Sequence, residues 1–257
     1  MTMLMTWLAR APLTLRFAAM AGILAMAVAG LSLKADDVEA AAYTARVSKV
    51  KGKAFYRVSA GQWQKLKKNA KLGEGSTVRT ESGARLEIRL ADGSVFRLGP
   101  KAELSLDSLK AGSSRTPRRI EASVKAGEVW SSVQKAMGGG GSFTVKSSHA
   151  VAGVRGTRFL TASSQTETSV KVFSGKVLVS NKPIYQVEGA TKGTRVQVAG
   201  PQEVSKKEWM ELVAGAMQFI KVSSSGGMTQ PAAFAAKKSD EFIQWNLALD
   251  AEQGFKE

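Results

Sequence analysis

The stretch RLEIRLADGSVFRLGP, residues 85–100, alternates apolar and polar side chains on both sides of Asp92 and Gly93. Alternation with period two around an Asp-Gly pair marks two half-buried strands joined by a hairpin turn. A two-residue loop would set Ile88 opposite Arg97 and mix the faces. A three-residue loop over residues 91–93, with Gly93 left-handed, sets Ile88 opposite Phe96 and Leu86 opposite Leu98. The same register sets Glu87 opposite Arg97 on what alternation alone makes the solvent side. This register reconciles both faces, so the segment is predicted to be a hairpin of an all-β body.

The same period recurs on either side. In VKGKAFYRV, residues 50–58, Val50, Gly52, Ala54, Tyr56 and Val58 fall on one face. Lys49, Lys51, Lys53 and Arg57 fall on the other. In SVKVFSGKVLVS, residues 169–180, a turn at Ser174 and Gly175 would pair Val172 with Val177 and Val170 with Val179. An internal echo centres on Gly52, Gly127 and Gly175, but its spacings of 75 and 48 residues are unequal. Repeated hairpins account for it more simply than a regular solenoid array. The breaker-rich runs 111–119 and 138–142 read as loops. Neither is followed by the lysine and hydroxyl residue of a nucleotide-binding turn.

The ends differ from the middle. Arg10 and Arg16 precede an uncharged, alanine-rich run over residues 17–33. Residues 1–35 therefore read as an export signal or, uncleaved, an N-terminal anchor, which is the only membrane contact expected. The β domain is placed at 45–200 and a helical C-terminal region at 201–257. There Trp209, Leu212, Val213, Ala216, Phe219 and Ile220 recur at helical spacing, behind Ser205 as a cap with Glu208 three residues on. This predicts a 206–221 helix, a means of oligomerisation or docking. A linker near 223–238 and a short helix over 239–249, with Phe242, Trp245 and Leu249 on one side, complete the chain.

Composition narrows the chemistry. The 257 residues hold no cysteine and one histidine, His149. Disulfides, thiolate metal sites and cysteine nucleophiles are excluded, and a zinc site lacks its usual ligands. No G-x-S-x-G is present to supply an activated serine for His149. Carboxylates such as Glu74, Glu81, Glu87, Asp92 and Asp107 fall mostly at turns or on outward strand positions, where solvation accounts for them. No enzyme, metal or cofactor is expected. Removing residues 1–35 leaves 34 basic against 21 acidic side chains, and the excess is concentrated. Between Arg46 and Arg79 ten Lys or Arg residues face Glu74 alone, interleaved with Phe55, Tyr56 and Trp63. Such a surface attracts polyanions. Export to the periplasm or beyond argues against nucleic acid and leaves an anionic polymer or an envelope protein as partner.

Taken in order, several blocks resemble one family: WQKLKKNAKLGEGSTVRTESGARLEIRLADGSVFRLGPKAELSL (63–106), AGEVW (126–130), FTVKSSHAVAGVRGTRF (143–159) and VKVFSGKVLV (170–179). Together they are similar to the bacterial FecR domain family, over roughly residues 47–180. The resemblance implies an all-β extracytoplasmic domain, solenoid-like or a distorted sandwich of hairpins. In regulatory members it relays occupancy of an outer-membrane receptor to a sigma factor through an N-terminal cytoplasmic segment. About sixteen residues precede the apolar run here, too few for such a unit.

Within the resemblance, Gly73, Gly75, Gly93, Gly127, Gly153, Gly156 and Gly175 occupy motif glycines, where turns or close strand approach exclude a Cβ. Asp92 and Thr157 complete the turn motifs, and Trp63 would be the buried aromatic of the first loop. The candidate partner-binding residues are Lys49, Lys51, Lys53, Arg57, Arg155 and Arg158. The expected function is a non-enzymatic envelope binding or scaffold protein. The alternatives are FecR-type signalling and a structural subunit of a secreted assembly.

Overall fold

The structure, a computed structural model, describes residues 45–112, 118–134, 141–181 and 211–255. The export segment and Ser205, Glu208 and Trp209 lie outside these residues. The first strands are β1 (Ala45–Lys51), β2 (Ala54–Val58), β3 (Gln64–Lys65), β4 (Lys71–Leu72), β5 (Ser76–Thr80), β6 (Arg85–Leu90), β7 (Val95–Leu98) and β8 (Glu103–Lys110). The long β9 (Arg118–Ser132) follows, then β10 (Gly141–Lys146), β11 (Ala150–Val154), β12 (Arg158–Ser163), β13 (Glu167–Ser174) and β14 (Val177–Asn181). The last elements are β15 (Glu211–Ala214), β16 (Gln218–Ser223), β17 (Ala232–Ala233) and the helix α1 (Glu241–Glu252).

These strands make two layers. Sheet A runs β4-β1-β6-β7-β9-β12-β13-β16-β17 and sheet B runs β3-β2-β5-β8-β9-β10-β11-β14-β15. Strand β9 belongs to both: it pairs with β8 up to Ala126 in sheet B and with β12 from Gly127 in sheet A. The alternating apolar side chains of both layers, among them Val47, Ile88, Phe96, Leu104, Ile120, Phe143 and Val172, close into one core between the sheets. The fold is all-β with a C-terminal helix, as expected.

The hairpin of residues 85–100 has the predicted register. Leu86 pairs with Leu98, Glu87 with Arg97 and Ile88 with Phe96. Gly93 is left-handed at φ 84°. Asp92 fixes the loop by accepting from the Ser94 amide at 2.9 Å and its hydroxyl at 2.9 Å, and it pairs with Arg118. One expectation is overturned: Glu87 and Arg97 are wholly buried, because α1 lies over this face of sheet A.

The second predicted hairpin is not one. Strand β13 pairs with β12 and β16, whereas β14 pairs with β11 and β15. Gly175 turns the chain from sheet A to sheet B, so the valines of the two strands meet in the core and not along a ladder. The echo of Gly52, Gly127 and Gly175 has the same meaning, since all three sit where the chain changes layer. At each such crossing among the described residues one residue has positive φ: Gly52, Asn69, Gly75, Gly83, Lys101, Gly127, Gly156, Gly175 and Met217. Gly127 is the tightest. A Cβ there would lie 2.6 Å from the Ala102 Cα. By contrast, Gly73 and Gly153 have no positive φ and open space around a Cβ, so nothing in the structure requires glycine at either.

The part of the expected 206–221 helix that falls among the described residues, 211–221, is also overturned. Residues 211–214 and 218–223 are strands β15 and β16, which extend sheets B and A. The apolar run satisfied a helical period, but Gly215 and Met217 (φ 58°) divide it. Within the β16 run, Ile220 and Val222 alternate into the core. A short apolar run is open to either period, and pairing with β13 and β14 decides it. The oligomerising helix therefore has no counterpart among residues 211–221. The final helix does form, at Glu241–Glu252, with Asp240 accepting from the Ile243 amide at 3.0 Å as its N-cap.

Candidate functional site

The two outer faces of the sandwich differ. On sheet A, Arg97, Trp130 and Leu160 are register neighbours across β7, β9 and β12, and α1 covers them. Trp130, Leu160, Phe173, Phe242 and Ile243 form a second apolar cluster, with Phe234 and Trp245 against it. The Trp130 and Phe173 rings lie 4.4 Å apart.

A buried polar network is set into this cluster's edge. Arg97 donates through Nε to Glu87 Oε2 at 2.6 Å and through Nη1 to Asp250 Oδ1 at 2.6 Å. Its Nη2 donates to Gln253 Oε1 at 3.0 Å, and Gln253 Nε2 donates back to Glu87 at 3.0 Å. Asp250 also accepts from Trp130 Nε1 at 3.0 Å and from the Ser132 hydroxyl at 2.8 Å. Ser48 donates to Glu87 Oε1 at 2.5 Å. One arginine thus holds two carboxylates, one on the sheet and one on the helix, and every charge is met by hydrogen bonds, as burial demands. The arrangement fastens α1 to the sheet.

Two glutamates in this region titrate in opposite senses. Burial pushes the Glu87 carboxyl up, but hydrogen bonds from Arg97, Ser48 and Gln253 outweigh it and hold the group below the ordinary glutamate value. Burial, followed by repulsion from Asp240, raises Glu128, and Lys171 offsets this in part. A depressed folded value gives stability above the unfolded value of about 4.3 that is lost as pH falls. A raised one costs stability as pH climbs from that value. Glu87→Gln is therefore expected to lower the melting temperature at neutral pH, with the deficit shrinking in acid, and Glu128→Gln to raise it. Thermal melts of both variants and the parent between about pH 3 and about pH 8 check the two signs.

Sheet B carries a different surface on its outer face. At the β3 edge, the Arg57 guanidinium lies 4.5 Å and that of Arg79 4.2 Å from the Trp63 ring centroid. Arg79 also lies 5.5 Å from the Phe55 ring. Phe55 and Arg79 are direct register partners on β2 and β5, which brings the second arginine over the aromatic pair. Neither guanidinium makes an ion pair among the described residues, and Arg57 Nε is enclosed without an acceptor. Trp63 is half-exposed and stacked on this surface, so it is not the buried aromatic expected; Leu66 enters the core instead. Glu103 is the register partner of Arg79 but forms no ion pair with it.

The predicted partner-binding residues do not share one face. Gly52 turns the chain between layers, which leaves Lys49 and Lys51 on sheet A, Lys53 at the corner and Arg57 on sheet B. Lys49 lies 3.8 Å from Glu252 of α1. Arg155 is exposed, while Arg158 is 8% exposed and faces outward from sheet A between Ser132 and Ser174. Thr157 is buried and donates to the Lys176 carbonyl at 3.1 Å, closing the β11-β12 corner onto the β13-β14 corner. His149 Nε2 lies 3.1 Å from the Gln165 carbonyl, a loop-to-loop contact. Arg79 was missed as a site residue. Its place within the basic stretch 46–79 was the available signal.

Residues 76–178 match the family model described as FecR protein. The FecR match begins with the first residue of β5 and ends within β14, and it includes the sheet-switching strand β9. The resemblance drawn from the sequence blocks holds over that segment. Two crystal structures, at 1.65 Å and 2.50 Å resolution, of a protein from Parabacteroides distasonis described as a candidate anti-sigma factor are similar to this chain. Each has 20% sequence identity and a TM-score of 0.44, covering 65% of this chain and 64% of its own. No curated protein matches the chain. Among the described residues, no helix is long and apolar enough to cross a membrane.

Proposed function

We propose that this chain is an exported, non-enzymatic signalling protein of the FecR type, whose β body binds a protein partner in the bacterial envelope. The observation that carries the reading is the FecR match over residues 76–178, which runs through the continuous two-sheet body. A sandwich with one face closed by a helix and the other presenting Arg57, Trp63 and Arg79 suits binding through side chains displayed on strands. Export rests on the basic, then apolar, N-terminal pattern.

An envelope scaffold that holds an anionic polymer is the second reading, and the Arg57, Trp63 and Arg79 surface favours it. Deleting the gene and sequencing the transcriptome separates the two. Signalling predicts that a small, coherent set of genes changes several-fold, with envelope composition intact. An unchanged transcriptome with loss of an envelope-bound polymer would support the scaffold and sink the signalling role.

A further inference from the structure

We infer that the β2-β3-β5 corner of sheet B is the docking site for an extended acidic segment of a protein partner. The inference rests on the signalling reading and specifies the surface and chemistry involved. Three observations converge there. Arg57 and Arg79 stack against Trp63 at 4.5 Å and 4.2 Å, so the indole orders their flat faces. A guanidinium engaged in this way still presents N–H groups at its edge, in the fork that fits a carboxylate. No acidic group of the described residues occupies either edge, although Glu103 is adjacent in register to Arg79.

The third observation selects a polypeptide over a polymer of phosphates or sugars. Among the described residues strand β3 pairs with β2 alone, which leaves its other side as a sheet edge. Its two residues, Gln64 and Lys65, are exposed, and Trp63 immediately precedes them. An added strand would pair with this edge through main-chain hydrogen bonds and turn alternate side chains to the outer face, where the guanidiniums lie. Lys67 and Lys68, both exposed just beyond β3, extend the positive field that steers an acidic segment toward the edge.

The test uses the full chain and three probes: a glutamate-rich peptide, inorganic polyphosphate and phosphatidylglycerol vesicles. The peptide is expected to bind, and R57Q/R79Q to weaken that binding at least about tenfold, as loss of charge-assisted hydrogen bonds requires. R57K/R79K, which keeps the charge and loses the planar fork, is expected to recover only part of the affinity. K237Q/K238Q removes the same charge from exposed positions on the segment leading to α1 and is expected to leave binding unchanged. An unaltered melting temperature in each variant shows that the fold is retained.

Equal weakening by the two Gln pairs would overturn the site in favour of net charge. Tighter binding of polyphosphate or vesicles than of the peptide, lost in R57Q/R79Q, would overturn the choice of a protein segment. A chromosomal R57Q/R79Q allele keeps this inference separate from the signalling reading. If deletion changes transcription and the allele does not, the surface is wrong and the signalling role stands.

Discussion

Asp250→Ala is expected to destabilise the protein by about 3 kcal/mol, the lower end of what breaking a buried ion pair costs. The lower end applies because Arg97 keeps Glu87 at 2.6 Å when the helix carboxylate is gone. The Ser132 hydroxyl loses its acceptor at the same time, and the Trp130 indole N–H loses one of two, keeping the Ser132 oxygen at 2.8 Å. For a chain of this size the melting temperature should fall by roughly 6–12 °C. Calorimetry measures the fall, and tryptophan fluorescence reports whether α1 leaves first, since Trp130 is fully buried beneath it. Asp250→Asn retains an acceptor and should lose less. An Asp250→Ala protein that melts with the parent would show that the network does not fasten the helix.

Phe96→Ala should cost about 3–5 kcal/mol by a different route. Phe96 is fully buried between the sheets, with its ring 5.5 Å from that of Phe143, so truncation leaves a cavity spanning β7 and β10. Because β7 and β10 belong to different layers, the loss falls on the contact between sheets and not on the helix. Unfolding should remain a single transition at lower temperature. In Asp250→Ala, cleavage within 224–240 should instead precede it. A cost below about 1 kcal/mol for Phe96→Ala would mean that the layers repack around the gap.

The hairpin of residues 85–100 was legible because its two faces demand one register, and that register depends on contacts a few residues apart. The fate of Glu87 and Arg97 was not, since their counterpart Asp250 lies 153 residues beyond Arg97. Alternation distinguishes the two sides of a strand; it carries no information about what later covers the outer one. The valines around Gly175 misled for a related reason. Apolar pairing is satisfied equally by neighbours in one sheet and by opposed strands in two. At 211–220 a helical period and a strand period fit the same apolar residues, and pairing with β13 and β14 settled it. Basic and aromatic interleaving pointed to Trp63 and Arg57, but bringing Arg79 to the same indole required the β2-β5 register.

The left-handed residues at the layer crossings give this fold its punctuation. Between them, each strand needs only apolar side chains at every second position, a requirement that Val, Ile, Leu and Phe can share in many combinations. At the crossings the demand is on backbone torsion, and few residue types meet it cheaply. Divergence should therefore erase the words and spare the commas, so that distant versions of this thread are recognised by the spacing of their glycines sooner than by their cores.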